Sequence, residues 1–230
     1  MKREMKKMFF SLGLLFSVSL ATVVFTSCEG DDNSGQEQTG PNNPNNPGGS
    51  TLTSDVGVVI NGVKWATRNV DAVGTFAAKP EDAGMFYQWN RKKAWPATGT
   101  VSGWDSSMPA GDTWEKINDP SPAGWRVPTL ANIQKLFDTS KVTSQWITSN
   151  GVNGRKFTDK NSGNSIFLPA AGYRYYSDGT LCYAGSYGGY WSSTANGTSA
   201  AYNLTFGSGA VDWSKYDLRY NGFSVRSVAD

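Results

Sequence analysis

Pro128-Thr129-Leu130-Ala131-Asn132-Ile133-Gln134-Lys135-Leu136-Phe137 is the stretch of this sequence with a clear helical period. Leu130, Ile133, Leu136 and Phe137 recur at the spacing that lines one face of an α-helix. Thr129 stands where a hydroxyl would accept from the first free amides as an N-cap. Upstream the pattern changes. Val58-Val59-Ile60, Asn61-Gly62 and Val63-Lys64-Trp65-Ala66 read as a β-hairpin, because Asn-Gly accepts the two positive φ angles of a type I′ turn. Downstream, residues 165–169, 190–193, 201–206 and 222–228 are short β-like runs, punctuated by Asp178-Gly179, Gly188-Gly189 and Asn221-Gly222. A helix early, strands late and long irregular loops predict an α+β domain on an antiparallel sheet with few helices.

Further out, the N-terminus is of another kind. Lys2, Arg3, Lys6 and Lys7 precede an apolar run over residues 8–25, broken only by Ser, Gly and Thr. A basic start, an apolar run and small residues before a cut make residues 1–27 a signal peptide; the alternative is an uncleaved anchor, since the run approaches spanning length. Thr26-Ser27-Cys28 resembles a bacterial lipobox, in which the Cys is acylated and becomes the new N-terminus. Phe25 departs from the Leu usual at its place. Several acyl chains, each worth ~0.8 kcal/mol per buried methylene, hold a protein on a membrane stably. Glu29-Gly30-Asp31-Asp32 resembles the export tag of Bacteroidetes-type lipoproteins, which implies the outer face of the outer membrane. Residues 28–55, rich in Asn, Pro, Gly and Ser, predict a disordered tether with nothing to bury. Residues 56–230 hold all nine Trp and are long enough for one domain with its own core. With Cys28 spent on lipid, Cys182 is left as a buried thiol or as half of a bond to another molecule.

Composition removes whole classes of function. Without the signal peptide the chain has 17 basic and 18 acidic residues, so no basic face points to nucleic acid. There is no His, which removes His-based triads and His metal sites. P-loop, G-x-G-x-x-G and G-x-S-x-G motifs are absent. Glu81, Asp82, Asp105, Asp112, Glu115, Asp119, Asp178, Asp212 and Asp217 lie scattered in loops. Two of them meeting at ~5–9 Å would suit glycoside hydrolysis, but solvated loop acids and turn caps are the plainer reading.

Several motifs in order carry a resemblance. They are Asn61-Gly62-Val63-Lys64-Trp65-Ala66-Thr67-Arg68-Asn69-Val70, Gly84-Met85-Phe86-Tyr87-Gln88-Trp89-Asn90, Pro122-Ala123-Gly124-Trp125-Arg126-Val127-Pro128-Thr129, Phe167-Leu168-Pro169-Ala170-Ala171-Gly172-Tyr173-Arg174, Gly189-Tyr190-Trp191-Ser192-Ser193 and Gly222-Phe223-Ser224-Val225-Arg226. Together they resemble the Fibrobacter succinogenes major paralogous domain family of surface and secreted proteins. That resemblance implies a C-type lectin-like fold, shared with formylglycine-generating enzymes, in which the first and last strands pair antiparallel. Two departures limit it. Trp191 is followed by Ser192-Ser193 and no Glu-Pro-Asn exists, so the Ca²⁺ triplets of the lectins are missing and no metal or other cofactor is implied. The enzymes need a pair of active Cys, and only Cys182 is available.

The leading expectation is therefore a lipid-anchored, non-catalytic binding or adhesion module whose partner is a glycan. The alternatives are a structural subunit of a cell-surface assembly such as a fimbrial tip, with a surface protein as partner, and a cryptic glycoside hydrolase. Trp65, Trp89, Trp125 and Trp191 stand beside apolar neighbours and read as core; Trp95, Trp104, Trp114 and Trp213 lie among Pro, Gly, Ser and Asp and read as exposed candidates for stacking on sugars. Arg126, Arg174 and Arg226 read as clamps onto carbonyls and acids. In C-type lectin-like folds the loops before the Trp-bearing strand bind ligand, which here implies residues 174–190. Tyr175, Tyr176, Tyr183 and Tyr187 among Gly and Ser, with Asp178 as a polar contact, make a paratope-like composition. Packing of these Tyr onto the sheet is the competing reading.

Overall fold

Asn61 and Gly62 have φ angles of 45° and 74°, and Asn150 and Gly151 have 47° and 83°. Each Asn-Gly pair thus closes a two-residue hairpin with the backbone twist that flanking strands require. The computed structural model describes residues 52–230. The expected signal peptide, Cys28 and most of the expected tether lie outside the described residues.

In chain order the elements are β1 (Val58–Ile60), β2 (Val63–Trp65), β3 (Phe86–Gln88), β4 (Ala94–Trp95), β5 (Trp125–Arg126), α1 (Leu130–Gln134), β6 (Val142–Ser149), β7 (Val152–Asp159), β8 (Ser165–Pro169), β9 (Tyr173–Arg174), β10 (Leu181–Cys182), β11 (Gly188–Asn196), β12 (Ala200–Phe206), β13 (Val211–Asp212), β14 (Tyr216–Leu218), β15 (Gly222–Ser224) and β16 (Val228–Ala229). They form a four-stranded sheet of order β1-β2-β16-β5 and a three-stranded sheet β6-β7-β8. The largest sheet runs β10-β9-β15-β11-β12-β13, with β14 also on β12, and with β3 on β15 and β4 on β3.

This corrects the α+β expectation, and with it the C-type lectin-like assignment. Strand makes up 39% and helix 6% of the structure, so the domain is β-rich. The predicted helix begins as expected. Thr129 is its N-cap: the Asn132 amide donates to the Thr129 hydroxyl at 3.2 Å and the Thr129 amide donates back to Asn132 Oδ1 at 3.0 Å. Only five residues are α-helical before the chain tightens into a 3-10 turn at Lys135–Phe137. The amides of Lys141 and Val142 then both bond the Asp138 carbonyl and start a strand. The segment from 142 to 159, which no strand expectation covered, is the longest regular hairpin, with Val142 opposite Asp159 and Ser149 opposite Val152. The last strand returns to the first hairpin but not to the first strand: Val228 of β16 pairs antiparallel with Trp65 of β2, and β16 lies between β2 and β5.

The start of the folded chain also lies earlier than Val56. Leu52 bridges Phe76, and the Asp55 carboxylate accepts from the amides of Gly57 and Thr67, the Thr67 hydroxyl and Arg68 Nε.

Two indoles tie the large sheet together. Trp89 Nε1 donates to the Ser192 carbonyl at 2.9 Å, and Trp191 Nε1 donates to the Tyr87 carbonyl at 2.7 Å. Both rings are fully buried, so truncating either would cost ~3–5 kcal/mol. Trp65 is core as expected, whereas Trp125 is only half-buried. Trp95 and Trp114 correct the expectation of exposure, at 3% and 8%; Trp95 packs against Trp104 and Trp114 against Trp89. Trp104 and Trp213 are half-buried. Pro and Gly around an indole marked irregular backbone, and irregular backbone here still packs inward.

Candidate functional site

β12 alternates its side chains, as any strand does. Leu204 and Phe206 enter one core cluster, while Ala201 enters another with Trp191 and Phe223. Asn203 and Thr205 share the Ala201 face by period. Trp191 lies opposite Asn203, Gly189 opposite Thr205, and Asp217 opposite Ala201. The same side of the large sheet therefore carries indole, phenyl, amide, hydroxyl and carboxylate in adjacent positions.

Three tyrosines cover the edge of this face. The ring centroids of Tyr173 and Tyr183 lie 6.0 Å apart at 29°, those of Tyr173 and Tyr187 5.8 Å apart, and those of Tyr183 and Tyr187 6.3 Å apart. Tyr173 rests edge-on against buried Phe223 at 5.4 Å. The group is graded from inside out: Tyr173 and Tyr187 are half-buried, and Tyr183 is 41% exposed. Close backbone approach makes this possible, since a Cβ on Gly188 would meet the Phe206 ring and one on Gly172 the Cys182 carbonyl.

Asp217 stands beside them. Burial pushes its carboxyl up from the ordinary value, against hydrogen bonds from the Leu218 amide at 2.8 Å and Asn221 Nδ2 at 2.6 Å. Burial, then the nearby Asp217 charge, pushes the Tyr173 hydroxyl up to about 12 and that of Tyr187 higher still. Beneath the face, Asn203 is fully buried and neither end of its amide has a hydrogen-bond partner; the Oδ1 of Asn221 is likewise unpartnered. Buried polar groups are rarely left unpaired, so this side of the sheet holds unsatisfied hydrogen-bonding capacity. The other carboxylate felt at Tyr187, Asp212, is engaged by the Ser214 amide and hydroxyl at 2.8 and 2.7 Å and by Lys215 at 3.8 Å.

The residues expected from the sequence divide. Tyr183 and Tyr187 belong to this group. Tyr175 and Tyr176 form another, with ring centroids 4.4 Å apart and Tyr176 edge-on to Tyr220 at 5.4 Å. Asp178 closes the β9–β10 turn: its oxygens accept from the Thr180 amide and hydroxyl, both at 2.8 Å. Sequence reasoning placed Tyr173, Asn203 and Asn221 at no site and had Asp217 only among scattered loop acids. Tyr173 stood in a motif but not in the loop, and Asp217 reaches the group only through the pairing of β14 with β12. Cys182 is buried, at 2% exposure.

Among the described residues no group of three or more His, Cys, Asp or Glu is placed to hold a metal ion, and no helix is long and apolar enough to cross a membrane.

A protein-family profile described as a domain of unknown function (DUF8237) matches residues 139–228. That segment, under half of the chain, contains both tyrosine groups, Asn203 and Asp217. No curated protein and no solved structure matches the chain.

Proposed function

We propose that this chain is a surface lipoprotein, anchored through Cys28, whose domain binds glycans without transforming them. The observation that carries the reading is the Tyr173–Tyr183–Tyr187 group beside the half-buried Asp217 carboxylate. Tyrosine rings offer flat apolar area to the C–H faces of a sugar and keep a hydroxyl for hydrogen bonds, at little entropy cost. A carboxylate accepts from sugar hydroxyls more strongly than a neutral acceptor does. The absence of His and the engagement of Asp212 by Ser214 and Lys215 support binding over hydrolysis. The lipobox-like Thr26-Ser27-Cys28, the acidic residues after it and the motif resemblance to a family of surface proteins support the location.

The experiment is a glycan array probed with the full chain in detergent, wild type beside Tyr183→Ala and Tyr187→Ala. Saturable binding that both variants lose is the expected result. An array without a hit, or hits that both variants retain, would overturn the reading.

A further inference from the structure

Arg126 differs from the other arginines of the core. Arg174, Arg219 and Arg226 are each 1% exposed, and each spends its guanidinium on the chain itself. Arg174 donates to the carbonyls of Pro96, Thr98 and Gly179. Arg219 donates to those of Ala200, Gly111 and Gly197. Arg226 donates to Asn69 Oδ1 and the carbonyls of Ala66 and Phe167. Arg126 is half-buried, and both of its bonds leave one nitrogen: Nη1 donates to the Val127 carbonyl at 3.3 Å and to Asn132 Oδ1 at 3.1 Å. Among the described residues its Nε and Nη2 have no acceptor, and no carboxylate lies within ion-pair distance of the group.

This arginine lines a cleft of about 440 Å³ together with Trp114, Lys116, Asp119, Trp125 and Ser193. That size falls within the ~300–1,000 Å³ of small-ligand pockets. Both indoles are held by other rings. Phe76 meets Trp125 edge-on at 5.6 Å, and Trp89 meets Trp114 at 5.9 Å. The Trp114 Nε1 is already committed to the Asn118 carbonyl at 3.0 Å, so that indole offers the cleft apolar surface. Asp119 is occupied as well. Its Oδ1 accepts from the Ser121 amide at 2.8 Å and its Oδ2 from the Val127 amide at 2.9 Å. A second acid, Asp230, lies exposed on the lining, and exposed Lys116 offsets it.

We infer that this cleft is a second binding site, for a sugar that carries a carboxylate. A guanidinium presents two parallel donors in one plane, which matches the two oxygens of a carboxylate and not a lone hydroxyl. An indole beside it accepts the apolar face of a pyranose ring. The ligand class is thus a hexuronic or sialic acid, its acid group on Arg126 and its ring against Trp125 or Trp114. The cleft shares no residue with the tyrosine face, so the two sites stand or fall separately.

The test is calorimetric titration of the full chain in detergent with galacturonate, glucuronate and N-acetylneuraminate, each beside its neutral methyl ester. At least one acid should bind saturably, with its ester roughly tenfold weaker, as the loss of a charge-assisted bond implies. Arg126→Gln should weaken the acid to the level of the ester. Arg126→Lys should restore only part of the affinity, because an ammonium keeps the charge and loses the fork. Tyr183→Ala should leave the titration unchanged. Equal affinity for acid and ester, or no binding by any acid, overturns the inference, and neither result depends on a variant that folds. Wild-type affinity in a folded Arg126→Gln chain overturns it too.

Discussion

Tyr183 holds its ring 6.0 Å from that of Tyr173, at 29° to it, from a backbone position with φ of 55°. A left-handed tyrosine is uncommon, and the conformation costs an L-residue ~1–2 kcal/mol. Tyr183→Gly should relieve that cost and Tyr183→Ala should not, while both delete the same 41%-exposed ring. The expected outcome is a melting temperature for Tyr183→Gly at or above that of Tyr183→Ala, with glycan binding lost in both. A fall of ~3–5 kcal/mol in either, the size of an aromatic core truncation, would show that the ring serves packing.

Asp217 makes stability depend on pH in a stated direction. Its carboxyl is raised in the folded chain by burial, so the folded state prefers the protonated form. Relative to Asp217→Asn, the wild type should be at its most stable below the ordinary carboxylate value of 3.8. That advantage should fade as pH rises through the higher folded value. Paired thermal melts of wild type and Asp217→Asn across that range measure the difference directly. A difference that does not change with pH refutes the burial of this charge.

Asp55 behaves in the opposite way. Burial raises its carboxyl, but donors from Gly57, Thr67 and Arg68 outweigh it and hold it below the ordinary value. Its contribution is complete above 3.8 and fades as pH falls through the lower folded value. The Arg68 Nε lies 3.1 Å from Oδ2, with the Asp55 side chain fully buried. Removing one partner of a buried pair costs ~3–5 kcal/mol, and Arg68 keeps some solvent, so Asp55→Ala should cost about 3 kcal/mol at neutral pH. Limited proteolysis of the wild type should stop ahead of Leu52. Cleavage between Leu52 and Val56 without loss of stability would contradict the contacts of Asp55.

The proposed anchor rests on one sulfur. The chain has two cysteines, so a lipid thioether on Cys28 and an intrachain disulfide to Cys182 exclude each other. Cys28→Ala should move the protein from the membrane fraction to the soluble one, and the intact mass of the mature wild type should carry the acyl chains. A variant that stays on the membrane after a carbonate wash, or a mature chain without added acyl mass, refutes the anchor.

Local signals were read well from the residues alone. Asn61-Gly62 specifies its turn because few other pairs accept two positive φ angles, and Thr129 caps α1 because its hydroxyl needs only the amide three residues on. The same Asn-Gly signal stands at 150–151. The run 142–149 mixes Thr, Ser and Gln with Trp and Ile, and its burial does not alternate cleanly. The helix, by contrast, is shorter than its apolar spacing predicts. Its apolar spacing persists to Phe137, but whether a spacing continues as α-helix is settled by where the next carbonyl goes, and Asp138 sends it into a strand.

The sequence by itself determined the Asn61-Gly62 turn, the cap and most of the core tryptophans, and it set Tyr183 and Tyr187 of the candidate group in one loop. Only the tertiary structure decided the sheet order, the placing of Asp217 and Asn203 beside those tyrosines, and which arginine is left with donors to spare. The physical reason is range. Turn and cap preferences arise between residues a few positions apart, whereas Asp217 reaches Tyr187 through the pairing of β14 with β12. Arg126, Arg174 and Arg226 follow similar motifs and differ only in the carbonyls that the rest of the fold brings to them.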